Sequence, residues 1–189
     1  MSDESAEKST ADPDGSEARD AATVIVLREA DEQFEVFMVR RHGATEFLAN
    51  RYVYPGGQLD PEDCTEDAAE HVEGLTPEQA RARLDEKIDP YKAMGLFLAG
   101  VRETFEESGL LLARRKGSDE FIDLTSDPEV SDRFSDYREK LHENEISLSE
   151  VAERENLIIP LQWLGYFAHW ITPFIESKRY DTRFFVAIA

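Results

Sequence analysis

Between Arg102 and Leu110 the chain reads Arg-Glu-Thr-Phe-Glu-Glu-Ser-Gly-Leu, which places three carboxylates within five residues. On a helix, Glu103 and Glu107 stand at i,i+4 and Glu103 and Glu106 at i,i+3, so all three share a face. Like charges at these spacings destabilise a bare helix, and a cation meeting that face would relieve the repulsion. Oxygen-rich carboxylate clusters suit Mg²⁺ or Mn²⁺, which stay partly hydrated and bridge to phosphate oxygens. Arg102 has the forked geometry to orient one of the carboxylates. The competing reading is a solvated acidic face, common in a chain this acidic. Upstream, Tyr54-Pro55-Gly56-Gly57 makes a tight turn at a strand end, whose backbone can approach a metal or a phosphate closely.

A longer helix from about Pro90 to Glu107 must carry the glutamates, with Leu96, Phe97, Ala99, Val101 and Phe105 at helical spacing and Gly109 as its C-cap. Before it, Ala22–Glu29 and Phe34–Arg41 are β-branched and aromatic runs flanking a polar turn at Glu29–Gln33, a hairpin signal. Tyr52–Tyr54 reads as a third strand stopped by Pro55. Residues 64–92 form a helical insertion, in which Thr76, Pro77 and Glu78 supply an N-cap, a first-turn proline and an early acid. Leu110–Ala113 reads as a strand, and residues 127–155 as a second helical segment with a capping box at Ser147–Glu150. Gln162–His169 and Thr182–Ala189 return to sheet character. Residues 1–21 read as a solvated acidic tail, leaving one domain over 22–189.

With the PGG turn and the Arg-Glu-x-x-Glu-Glu helix in place, the chain resembles the Nudix hydrolases, whose box runs G-x5-E-x7-R-E-U-x-E-E-x-G-U, where U is aliphatic. Thr104 stands at an aliphatic position. Six residues beyond Gly57 lies Asp63 where the pattern has Glu, and the gap from Asp63 to Arg102 far exceeds seven. An interrupted box of this kind is similar to the branch that contains a coenzyme A diphosphatase. VFMVRRHGATEFLANRYVYPGGQLDPED, WITP and RYDTRFFVA add to the likeness. The resemblance implies an α/β/α sandwich with a mixed sheet. It also implies Glu103, Glu106, Glu107 and the Gly56 carbonyl as ligands for Mg²⁺ or Mn²⁺, with Asp63 as a further candidate. Glu103 or Glu106 would be the catalytic base, and Arg102 and Gly109 structural parts of the motif. Such an enzyme cleaves the diphosphate linkage of a nucleoside diphosphate derivative, here coenzyme A or an acyl-coenzyme A. The alternative is a Nudix-fold sensing or interaction module without turnover.

Arg40, Arg41 and Arg51 cluster near Gly57 and the PGG turn, and Arg179 and Arg183 flank Tyr180 with Lys178. Both groups are candidates for phosphate contact, the competing reading being surface ion pairing. Trp163, Phe167, Trp170 and Phe174 read as core, His42 and His169 as structural or surface groups, and Cys64 as no nucleophile. The chain has 189 residues, 41% hydrophobic and 33% charged, with 21 Lys and Arg against 41 Asp and Glu. A formal net charge of −20 argues against nucleic acid or anionic membrane as a partner and leaves a small organic diphosphate. One cysteine, no apolar span and no basic leader fit the cytoplasm. Phe184–Ala189 reads as a terminal strand with an open edge, which suggests a homodimer.

Overall fold

The computed structural model describes residues 17–31, 33–40 and 51–188. Strand β1 (Arg19–Ala30) begins inside the stretch read as tail, because Arg19, Asp20 and Ala21 pair with Tyr180, Asp181 and Thr182 near the other end of the chain and Ala21 is buried. It turns at Asp31 into β2 (Gln33–Val36), pairing antiparallel as the hairpin signal predicts. A separate ribbon joins β3 (Val39–Arg40) to β4 (Tyr52–Val53). Strand β5 (Gly56–Gln58) returns to pair antiparallel with β1.

The insertion opens with a 3₁₀ turn (Pro61–Cys64), then α1 (Glu66–Glu70), β6 (Val72–Glu73) and α2 (Pro77–Leu84). Thr76 caps α2 and forms a capping box with Gln79. The central helix α3 (Pro90–Ser108) starts on the Asp89 carboxylate, which accepts the Tyr91 and Lys92 amides, and stops at Gly109, whose φ of +79° a residue with a Cβ rarely adopts. Leu96, Phe97, Leu98, Val101 and Phe105 are all buried, each side chain contributing roughly 1.5–3 kcal/mol. Phe97 meets Phe185 at a ring separation of 4.3 Å, fixing the helix against the sheet.

The stretch Leu110–Ala113, expected as a strand, is not in a ladder. Strand β7 is confined to Arg114–Arg115, because the Ala113 carbonyl takes the Ile122 amide of the next loop and the Leu110 amide is held by Ser108. Helices α4 (Pro128–His142) and α5 (Leu148–Glu155) follow, separated by Asn144 at φ +56°, with the capping box at Ser147 and Glu150. Strands β8 (Leu157–Pro160), β9 (Gly165–Ile171) and β10 (Tyr180–Ile188) complete the chain.

The main sheet runs β2-β1-β10-β9 with β5 also on β1, and a second sheet runs β6-β8-β7. It is a mixed sheet, since β1 and β10 pair in parallel from Arg19↔Tyr180 to Leu27↔Ile188. β10 is therefore an interior strand with β9 antiparallel on its other side, which corrects the open-edge reading and removes the ground for inferring a dimer from it. Trp170, Phe167 and Phe174, expected in the core, are 63%, 67% and 62% exposed, while Trp163 is half-buried with its ring edge-on to Phe121. Among the described residues no helix is long and apolar enough to cross a membrane.

Candidate active site

Arg102 is the hub of the site and only 6% exposed. Its Nε donates to Asp63 Oδ1 at 3.1 Å and Nη2 to Asp63 Oδ2 at 3.0 Å. Nη2 also donates to the Gln58 carbonyl at 2.8 Å, and Nη1 to Glu103 Oε1 at 3.1 Å and Glu106 Oε1 at 2.9 Å. One guanidinium thus ties the PGG strand, the 3₁₀ turn and two glutamates of α3 together. Asp63 is 4% exposed and also accepts the Asp60 amide, so it fixes Arg102 instead of reaching a metal as a further ligand. Burial pushes the Asp63 carboxyl above its ordinary range while the Arg102 charge and hydrogen bonds pull against it. The insertion loops out and back without separating the halves of the motif, and Gly95 lets the turn close on α3, since a Cβ there would lie 2.7 Å from Cys64 Sγ.

The PGG turn meets the glutamates from the other side. The Gly56 amide donates to Glu107 Oε2 at 3.0 Å. A Cβ on Gly57 would lie 2.3 Å from the Glu103 carboxyl carbon, so this position holds Gly because the carboxylate occupies the side-chain space. Gly57→Ala is expected to displace Glu103 and lower kcat about 10²-fold with the fold retained, an effect kinetics and circular dichroism together would check. At the aliphatic position of the motif, Thr104 is fully buried because its hydroxyl donates to the Gly100 carbonyl at 2.7 Å. Beyond Gly109, Arg138 of α4 donates to the Glu106 carbonyl at 2.9 Å, placing a cation at the helix C-terminus.

Glu103, Glu106 and Glu107 all line a cleft of about 1000 Å³, with Gly56, Gly57 and Arg102. Burial, with the neighbouring Glu106 and Glu107 charges, pushes the Glu103 carboxyl up to about 7 against the pull of Arg102. Among the described residues no three acidic, His or Cys side chains converge as a ready cage. Arg102 holds one oxygen each of Glu103 and Glu106. A hard cation that keeps several waters needs only one or two carboxylates plus substrate oxygens, and this all-oxygen face suits it.

The shift sets a pH dependence. A carboxyl near 7 in the folded protein and near 4.5 when unfolded keeps the folded metal-free chain protonated across that window, so metal-free stability falls as pH rises from about 4.5 to about 7. A cation favours the ionised form. The rise in Tm on adding Mg²⁺ is therefore expected to be larger at about pH 8 than at about pH 5.5 by thermal-shift assay; equal rises would contradict the assignment.

The other candidates separate. Arg183 is 2% exposed in β10, with Nε on Glu86 at 3.0 Å and Nη1 on Asp20 at 2.7 Å, so it locks the α2–α3 loop to the sheet and is not a substrate group. Its odd-numbered position on β10 faces the core alongside Phe185 and Ala187. Arg179 is buried beside the cleft, with its guanidinium 3.9 Å from the Phe174 ring centroid. Arg40 and Arg51 are exposed at the β3–β4 ribbon, which turns Met38, Tyr52, Val53 and Tyr54 into the cleft in their place. Arg41 and His42 lie outside the described residues. Sequence reasoning missed His142 and Asn144 at the end of α4, which line the cleft with Trp170, Lys178 and Tyr180. His142 Nδ1 stands 3.7 Å from Glu106 Oε2. His169 is bonded to Asp181, and burial raises the Cys64 thiol to about 11, both consistent with non-catalytic roles.

A family model described as the NUDT19 Nudix domain matches residues 18–189. Two relatives, each named acyl-coenzyme A diphosphatase NUDT19, come from Xenopus laevis and Gallus gallus. The first is 25% identical over 180 residues, covering 81% of this chain and 47% of the relative. The second is 23% identical over 184 residues, covering 81% and 48%. The chain thus spans about half the length of these relatives. The crystal structure of a NUDIX hydrolase from Alicyclobacillus acidocaldarius superposes with a TM-score of 0.69 at 27% identity, covering 93% of this chain and 71% of that one. With the interrupted box reassembled around Arg102 and the family model spanning nearly all described residues, the chain belongs to the NUDT19 Nudix domain family of the Nudix hydrolases.

Proposed function

We propose that this domain is a Mg²⁺- or Mn²⁺-dependent diphosphatase that hydrolyses the diphosphate linkage of coenzyme A or an acyl-coenzyme A. The observation that carries the reading is the alignment of Glu103, Glu106 and Glu107 along one wall of a cleft, the first two held by the buried Arg102 and the third by the Gly56 amide. The names of the relatives support the substrate class.

Glu106 and Glu107 are assigned to hold the cation, which supplies neutralisation of the diphosphate charge and polarisation of phosphorus when bound. Glu103 is the favoured base. Its raised pKa suits proton acceptance from the attacking water near neutral pH, and Arg102 keeps its carboxylate from rotating away. The Gly56 amide anchors Glu107 so that the wall is set before substrate arrives. Tyr52, Trp170 and Tyr180 offer aromatic surface in the cleft for a purine ring.

A substrate panel tests the reading: coenzyme A, acetyl-coenzyme A, NADH, ADP-ribose, diadenosine polyphosphates and nucleoside triphosphates, each with Mg²⁺ or Mn²⁺ and with EDTA. Metal-dependent cleavage of the coenzyme A compounds is expected. No turnover by folded, metal-binding protein would favour the sensing module.

A further inference from the structure

Beside the catalytic cleft lies a second cavity of about 440 Å³, and the two share Gln58, Lys178 and Tyr180. Three cationic side chains, Arg19, Lys178 and Arg179, line the smaller one, with Glu17 as its one acid among the described residues. In a chain of net charge −20 this is an unusual concentration of positive charge. The parallel pairing of β1 with β10 creates it: Arg19 and Tyr180 are register partners, and the Arg19 amide donates to the Arg179 carbonyl at 3.0 Å. The groups are partly held in place. Arg179 Nε donates to the Thr172 carbonyl at 3.1 Å with its guanidinium over Phe174, and Arg19 Nη1 donates to Gln58 Oε1 at 3.2 Å. Gln58 in turn offers its backbone carbonyl to Arg102, so the basic cavity and the glutamate wall are linked through one residue that lines both cavities.

Resting on the coenzyme A reading above, we propose that Arg19, Lys178 and Arg179 form a subsite for the 3′-phosphate of the substrate. That group carries close to two negative charges at neutral pH and accepts several hydrogen bonds, which arginine forks and a lysine match. The diphosphate would then lie at the glutamates, the adenosine between the cavities near Tyr180, and the 3′-phosphate among the cations. Such a site selects coenzyme A thioesters over NADH and ADP-ribose, which share the diphosphate and lack this phosphate.

The test compares coenzyme A with 3′-dephospho-coenzyme A on the wild type and on the Arg19→Gln/Lys178→Gln double variant, two exposed positions whose change should not unfold the chain. The wild type is expected to favour coenzyme A by about tenfold or more in kcat/KM, and the variant to lose most of that ratio through KM. Equal cleavage of both compounds by the wild type, or an unchanged ratio in the variant, overturns the subsite while leaving the diphosphatase reading intact. If neither compound is cleaved, that reading fails and calorimetry with 3′,5′-ADP against 5′-AMP decides the subsite. Preference for 3′,5′-ADP that the double variant loses upholds it, and equal binding overturns it.

Discussion

Replacing Arg102 by Met is expected to lower stability by about 3–5 kcal/mol, which in a domain of this size lowers Tm by roughly 6–20 °C. The cost comes from Asp63, which is buried at 4% exposure and would lose three of its hydrogen bonds together with the only cation they come from. Glu103 and Glu106 would at the same time face each other without the guanidinium between them. Activity should be lost as well, and the two losses can be separated. In the Arg102→Met/Asp63→Leu double variant the orphaned buried charge is gone, so part of the stability should return while turnover does not. Chemical denaturation of the two single variants and the double variant measures the coupling. Additive effects would mean that Asp63 and Arg102 do not act as a pair.

Glu107→Gln is expected to leave Tm nearly unchanged and to lower kcat by about two to three orders of magnitude, several kcal/mol of transition-state stabilisation. Glutamine keeps a carbonyl oxygen that can accept the Gly56 amide, and the residue is exposed, so no core contact is lost. What disappears is one negative charge on the wall assigned to the cation. The same substitution should weaken Mg²⁺ binding in a metal titration without substrate. Near-normal turnover would remove Glu107 from the site.

Local signals carried much of the fold. The hairpin of β1 and β2, the start of α3 at Pro90, its stop at Gly109, the N-cap at Thr76 and the capping box at Ser147 each depend on residues within a few positions of one another. Three glutamates on one helix face are legible for the same reason. What could not be read arises from pairing between distant segments. Nothing near Phe184 announces that Arg19–Leu27 lies alongside it, so an interior strand looked like an open edge. A sequence separation of 39 from Asp63 to Arg102 hid the ion pair that holds the motif together. Arg183 and Arg179 look alike in sequence, yet they fall on different surroundings, one under Glu86 and Asp20 and the other over Phe174. Trp170 resembles a core residue in composition, and the cleft it lines accounts for its exposure.

The central claim is that the glutamate wall of α3 directs water to a diphosphate. Mass spectrometry of the products formed from an acyl-coenzyme A with Mg²⁺ tests it most directly, run on the wild type and on Glu107→Gln. The expected products are 3′,5′-ADP and the acylated phosphopantetheine in equal amounts, abolished by EDTA and nearly abolished by the substitution. Cleavage at the thioester instead, equal product from both proteins, or no product from folded wild type that binds Mg²⁺ would contradict it.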